Sequence, residues 1–488
     1  MIAPWVAEEM RDVELNDKRL NNRLKVILDQ LGGHPSASIP GACGGGAELT
    51  AAYRFFDNDK VDFEGVLQPH IEATYRRMAE QSVVILPQDT TEVDLTRPER
   101  QVVGAGPLDG NTRQGVFLHP LMGFTPDGTP LGTVYAEAWS REEEPLAPKS
   151  ERERERKHTP IEEKESLRWV DAFRHARDLA EEIPETQFVC VADSEGDIYE
   201  LLEEGQEKPQ RLEWIVRACQ DRALDEEMGI DASDTQANHL RERVLAEDVL
   251  FTQTITVRGR KAKVSCEDRG RRQPRTSRTA KVEVRAARVT LRAPWRHDRK
   301  LQPVPVNVVL VTEVDPPAND VPVEWILLTS LPIDDVEQVR RVIQYYTVRW
   351  MIEVFFRTLK SGCRVEERRF EHVDRMLPCL AVYMIVTWRT LFVCRLGREF
   401  PDINCEAVFE PDEWKSVYRV VRKEWPPSTP PTLREMVRMV AQLGGYVNRR
   451  RADEPGPQTV WLGLQRTHDI ATCWRIFGPE CTNETRLV

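Results

Sequence analysis

Spacings that bind metal or build disulfides are missing from this 488-residue chain. Its ten cysteines are scattered, with no CxxC pair and no Cys/His cluster at zinc spacing. That excludes a zinc site and a disulfide framework and predicts reduced, buried thiols. Long apolar runs are missing too. The nearest, "MLPCLAVYMIVTWRTLFVC" (376–394), contains Pro378 and Arg389 and reads as a buried core helix, not a membrane span. The first twenty residues have neither a basic n-region nor an apolar h-region, so no secretory signal is expected and the protein is expected in the cytoplasm. No internal repeat is visible, which argues against a solenoid or propeller. A net charge of −12 is short of the positive charge expected of a chain that wraps nucleic acid.

What is present is unevenly placed. Hydrophobic residues make up 40% of a chain long enough for two or three domains, each with its own core. From Arg258 to Lys300 there are sixteen Lys and Arg against four acids, a patch able to bind phosphate in an otherwise acidic chain. Residues 1–75 read as a small, separate helical domain, with "DKRLNNRLKVILDQL" apolar at three- and four-residue spacing before "GGHPSASIPGACGGG" breaks it. Strands follow: "SVVILPQD", then two runs joined at the hairpin turn "PDGTPLG". A helix at "SLRWVDAFRHARDLAEEI", the strand "TQFVCVAD" and a helix from about Ile198 predict an α/β fold, a mixed sheet with helices packed on it. Residues 76–365 form this body, with a β-rich insertion at about 211–322, and 366–488 are mostly helical. There, proline-rich "PPSTPP" precedes an amphipathic helix ending at Gly444 and Gly445.

Two acids end strands: Asp89 closes "VVILPQD" and Asp193 closes "FVCVAD". Carboxyl ends of neighbouring strands are where side chains converge on a ligand, although an Asp there also serves as a turn or helix cap. The segment "YYTVRWMIEVFFRTLK" (345–360), read as one helix, brings Arg349, Glu353 and Lys360 within about 60° of Tyr346, with Trp350 and Arg357 close by. Such a mixed face suits something polar and anionic; an exposed Arg349–Glu353 ion pair is the simpler alternative. Two strand-end Asp and one helix Glu would suit two Mg²⁺ ions, which take oxygen ligands and leave coordination open to a phosphate.

Together, Asp89 in "QDTT", Asp193 in "VADSEGDIYE" and the Tyr-x2-Arg-x3-Glu-x6-Lys spacing of Tyr346, Arg349, Glu353 and Lys360 resemble the bacterial DDE transposases of the insertion-sequence-four family, of the Tn-five transposase type. The resemblance spans nearly the whole chain. "LNDKRLNNRL" and "ELTAAYRFFDN" resemble the family's DNA-end-binding domain, "EKESLRW" a segment between the Asp strands, and "VRMVAQLGGYVNRR" its dimer-contact region.

It implies an RNase H-like core with a β-strand insertion, helical N- and C-terminal domains, and Asp89, Asp193 and Glu353 as ligands of two Mg²⁺, with Mn²⁺ able to substitute. Tyr346, Arg349, Lys360 and Arg357 would then hold the DNA. Trp325, twenty-one residues before Tyr346, stands where the family stacks a flipped base, and is equally placed to be a core residue. Arg217 in "WIVRAC" matches a DNA-contacting arginine, and Arg19, Arg23 and Arg54 are candidate end contacts or a solvated basic face. The chain departs from the family in having Ser194 where Arg often follows the second Asp. The implied activity is cut-and-paste transposition: nicking at the transposon end, hairpin formation and reopening, and joining of the 3′ end to target DNA. Its partners would be double-stranded transposon-end repeats, target DNA and a second copy of the chain, at the nucleoid and without a membrane. A domesticated or decayed nuclease, or a DNA-binding protein with a dead core, is the alternative.

Overall fold

Polar caps and apolar spacing set the N-terminal helices. The Asp17 side chain accepts the backbone N–H of Arg19 and starts α2 (Lys18–Gly33), which buries Leu24, Ile27, Leu28 and Leu31 on one face. Flanking it are α1 (Pro4–Glu9), α3 (Ile39–Ala42), α4 (Gly46–Phe56) and α5 (Phe63–Ala79), the last capped by Asp62. The structure is a computed structural model; it describes all residues except 1, 98, 110–111, 143–157, 226–238, 258, 260–275, 319, 448–453 and 480–488.

One mixed sheet forms the body. Its strands are β1 (Val83–Pro87), β2 (Thr91–Asp94), β3 (Gly106–Pro107), β4 (Gln114–Phe124), β5 (Pro130–Trp139), β6 (Gln187–Ala192), β7 (Leu212–Arg217), β8 (Phe251–Val257), β9 (Arg278–Leu291), β10 (Val304–Glu313) and β11 (Glu324–Thr329). The order runs β2-β4-β1-β6-β7-β11-β10-β9-β8, with β3 and β5 paired to β4. β1, β6 and β7 are parallel, in register Pro87 with Val191 and Val191 with Ile215. β4 and β5 form the expected hairpin, turning through Gly128 at φ +88°.

Alternation along the strands separates two cores. Ile85, Val189, Val191 and Leu327 face one; Val84, Leu86, Cys190 and Leu328 face the other. The second core is closed by α6 (Leu167–Glu182), α7 (Tyr199–Glu204) and α8 (Leu240–Leu245). The first is closed by α9 (Val336–Val348), α10 (Trp350–Arg357) and the 27-residue α11 (Val373–Glu399). This is the mixed α/β architecture expected of an RNase H-like core.

Two expectations about domains change. Helices α2 and α4 were expected in a small separate domain; they share one apolar core with α9, α10 and α11, and α5 runs through position 75. The reason is α11, whose apolar surface goes nearly all the way round and must be covered on every side. It is the one helix among the described residues long and apolar enough to cross a membrane, and most of it is buried in protein. The β-rich insertion, expected from about 211, begins after β7, since β7 lies in the main sheet beside β6; β8, β9 and β10 extend that sheet beyond β11.

Several described arginines of the basic stretch pair with acids of the chain. Arg278 pairs with Glu313 and Asp320, and Arg296 with Glu200, while 258 and 260–275 lie outside the described residues. At the C-terminal end come α12 (Pro411–Arg422), α13 (Leu433–Leu443) and α14 (Pro457–Phe477); α13 and α14 pack on α11, and α12 packs on α13 and α14. Thr432 and Glu435 form a capping box at the start of α13, which stops at Gly444 with Gly445 at φ +91°. Part of the expected dimer-contact segment, 448–450, lies outside the described residues.

Candidate active site

Parallel pairing of β1 with β6 brings two acids to one edge of the sheet. Asp89 lies two residues beyond Pro87, and Asp193 one beyond Ala192. Each also makes the local bond that an Asp at a strand end commonly makes: Asp89 Oδ1 accepts the Thr90 N–H at 2.8 Å, and Asp193 Oδ1 the Glu195 N–H at 2.8 Å. The second oxygen of each is left for the site.

The expected single helix over 345–360 is three pieces. α9 ends at Val348, and Arg349 forms the joint through short-range bonds, Arg349 N–H to Tyr346 O at 3.1 Å and Ile352 N–H to Arg349 O at 3.1 Å. After α10 comes a π turn, Thr358–Gly362, closed by Cys363 N–H to Thr358 O at 2.9 Å. The joint keeps Tyr346, Arg349 and Glu353 together. Arg349 is 8% exposed and donates from Nη1 to Asp89 Oδ2 at 3.0 Å and from Nη2 to Glu353 Oε1 at 2.7 Å. The anion this face meets is the protein's own pair of carboxylates.

Electrostatics follow from that crowding. Burial, then the charge of Asp193, pushes the Asp89 carboxyl up to about 7, with Glu353 adding to the rise and Arg349 and the Thr90 N–H opposing it. Burial works against the Arg349 cation, yet Tyr346, Asp89 and Glu353 hold its pKa above the ordinary value. Burial likewise raises the Tyr346 phenol, against the nearby charges of Arg217 and Arg349.

Arg217, at the end of β7, donates to Ser194 Oγ at 3.0 Å and lies 3.9 Å from Asp193 Oδ2. Ser194 thus carries an arginine from the next strand at the place where the family's own arginine is absent. Trp325 is half-buried on β11, its ring 5.5 Å from that of Tyr346.

Other expected residues lie apart. Lys360 is in the π turn, 3.7 Å from Glu366, and burial lowers its pKa despite Glu366 and Glu92. Arg357 is exposed. Arg19 and Arg54 are exposed on α2 and α4, and Arg23 pairs with Glu48. None of these three shares a bond with the carboxylates. Residues the sequence did not single out stand behind Asp89: Gln88, Thr90, His119 and Arg168 are bonded in series. His119 had one signal, a histidine inside an otherwise apolar strand.

In charge and donor type, Asp89, Asp193 and Glu353 fit a hard divalent cation: all donors are oxygen, and burial and the charge of Asp193 raise the Asp89 carboxyl. Among the described residues no three His, Cys, Asp or Glu side chains gather closely enough to hold an ion as they stand. Arg349 lies between two of the carboxylates and supplies the positive charge.

Three family models match along the chain: Transposase DNA-binding over 2–61, Transposase DDE domain over 168–377 and Transposase Tn5 dimerisation domain over 385–475. The chain belongs to the Tn5-type DDE transposases. The match to the DDE domain of this family takes in Asp193 and Glu353, and Asp89 precedes it. A solved structure of a piggyBac transposase synaptic complex with hairpin DNA is similar at 9% identity and a TM-score of 0.32, over 68% of this chain and 51% of that one. The chain thus spans about half the length of that relative.

Proposed function

We propose that this DDE transposase cuts and pastes DNA: it binds transposon ends, cleaves them by phosphoryl transfer and joins the 3′ ends to target DNA. One observation carries the reading. Arg349, at the joint of α9 and α10, binds the carboxylate that ends β1 and the carboxylate of α10, beside the Asp193 that ends β6. Asp89, Asp193 and Glu353 would hold two Mg²⁺ or Mn²⁺ ions, which supply activation of the attacking oxygen and charge stabilisation at the leaving one.

The chain's own residues place the DNA. Arg217 would offer its guanidinium group to a phosphate beside the cut, and Lys360 its ammonium and Arg357 its guanidinium to the strand leading away from it, while Arg349 holds the carboxylates. Trp325, packed on Tyr346, offers a stacking face to a base displaced in a hairpin route. Arg19, Arg23 and Arg54 lie in the segment that matches the DNA-binding model and would contact the end sequence. Trp425, Ile476 and Phe477 are exposed apolar residues in or next to the segment that matches the dimerisation model, and would be covered in a DNA-bound homodimer working at the nucleoid in the cytoplasm.

The test is to incubate the purified chain with DNA carrying the gene's own flanking ends, with and without Mg²⁺, beside Glu353→Gln. Mg²⁺-dependent cleavage by wild type alone, with hairpin intermediates, supports the reading in full. Cleavage without hairpins removes the hairpin route, and binding without cutting by either protein points to a decayed or regulatory DNA-binding protein.

A further inference from the structure

Asp89 stands at a break in its own strand. β1 ends at Pro87, and Gln88 still bridges Leu121 of β4; pairing resumes only at Thr91, opposite Leu118. Between them Asp89 and Thr90 lie across from Pro120 and His119, and Pro120 has no N–H to give a ladder. Side chains bridge the gap instead. Arg168 of α6 donates from Nε to Thr90 Oγ at 2.9 Å; Thr90 Oγ lies 2.9 Å from His119 Nδ1, and His119 Nε2 lies 3.1 Å from Gln88 Oε1.

The direction of these bonds follows from donor capacity. Gln88 Oε1 only accepts, so His119 Nε2 carries a hydrogen. His119 is fully buried, and burial together with the Arg168 charge holds its pKa well below the ordinary value, so the ring is neutral and Nδ1 accepts. The Thr90 hydroxyl therefore donates to His119 while accepting from Arg168. The same Thr90 gives its backbone N–H to Asp89 Oδ1.

We propose that Arg168, Thr90 and His119 are positioning residues that clamp the strand break and aim the Asp89 carboxylate out of the sheet toward Asp193 and Glu353. This rests on the reading of Asp89 as a metal-holding carboxylate. Partners behind such a ligand are worth about 10–100-fold in metal affinity or activity.

Three measurements on the full chain decide it: the His119 tautomer by ¹⁵N NMR of histidine-labelled protein, Mn²⁺ binding by electron paramagnetic resonance, and nicking of end DNA. Wild-type His119 is expected neutral with its hydrogen on Nε2. Thr90→Val, which keeps shape but loses the hydroxyl, is expected to weaken Mn²⁺ binding and nicking by about tenfold or more. Thr90→Ser keeps both near wild type, and all three proteins bind end DNA equally. A hydrogen on Nδ1, a Thr90→Val protein that binds Mn²⁺ as wild type does, or a Thr90→Ser protein as weak as Thr90→Val would overturn the clamp. If Thr90→Val does not fold, the tautomer and Thr90→Ser decide. Wild-type protein that binds Mn²⁺ yet nicks no DNA overturns the transposase reading and leaves the clamp to be judged by the tautomer and Mn²⁺ results.

Discussion

Arg349 joins two carboxylates that repel each other, and its planar fork is what allows one side chain to bind both, Nη1 to Asp89 and Nη2 to Glu353. A lysine ammonium is a point charge on a flexible stem and cannot span them in the same way. Arg349→Lys is therefore expected to lower cleavage at least roughly tenfold while end binding, read by gel shift, changes less. Glu353→Gln keeps the shape of the side chain and removes its charge; cleavage should vanish with end binding intact, and a mutant that still cuts with Mg²⁺ would refute the assignment. Trp325 lies against Tyr346, so Trp325→Ala should slow hairpin formation more than the first nick in a time course resolved on denaturing gels. Equal slowing of both steps would return Trp325 to a purely structural role.

At the scale of elements, close approach sets the limits. The β4–β5 hairpin lies against α5, and Gly132 at the contact has φ +145°; a Cβ added there would fall 1.9 Å from Thr74 Oγ. Gly132→Ala combines a backbone conformation that L residues rarely adopt with a clash, and about 2–4 kcal/mol of destabilisation is expected in a denaturant melt. The π turn after α10 illustrates the limit of periodicity. Helical arithmetic places Lys360 with Arg349 and Glu353, whereas the structure sets it beside Glu366. A turn with one extra residue leaves no mark in composition, because it depends on how α10 must end to pass under α11 and α14.

At the scale of the molecule, one buried group ties the first helix to the rest. Glu9 of α1 accepts from His70 Nδ1 at 2.7 Å and pairs with Arg77, both on α5; Arg77 also donates to Leu131 O at 2.6 Å and lies over Trp388 of α11. The Thr133 N–H donates to His70 Nε2 at 3.2 Å, so that nitrogen accepts and the ring is neutral. Burial raises the Glu9 carboxyl, but His70 and Arg77 outweigh it and hold the carboxyl below its ordinary value; burial lowers the His70 pKa. A depressed carboxyl contributes stability that is present above its unfolded pKa and lost as pH falls through the folded one. His70 acts in the same direction, since the unfolded chain takes up a proton below the ordinary histidine value of 6.5 that the folded chain refuses. His119, also held low, acts in the same direction and the raised Asp89 carboxyl acts against it, so the contribution of His70 is read by comparison: His70→Gln is expected to lose less melting temperature than wild type as pH drops below about 6.5. Glu9→Gln leaves Arg77 without its countercharge and is expected to cost roughly 3–5 kcal/mol.

Taken alone, the sequence determined the mixed sheet, the acids that end β1 and β6, and the Tyr346–Arg349–Glu353 spacing, because strand alternation, turn residues and helical offsets are local properties of neighbouring side chains. It also showed α11 as a core helix, from Pro378 and Arg389 inside an apolar run. Only the tertiary structure decided that α2 and α4 share the core of α11, that β7 belongs to the main sheet, and that Arg349 binds carboxylates instead of solvent. The clamp behind Asp89 belongs to the same class. Gln88, Thr90, His119 and Arg168 come from a strand end, a second strand and a helix, and their bonds lie where pairing with β4 is interrupted between Gln88 and Thr91. Contacts between residues distant in the chain depend on register and packing, which local periodicity does not encode.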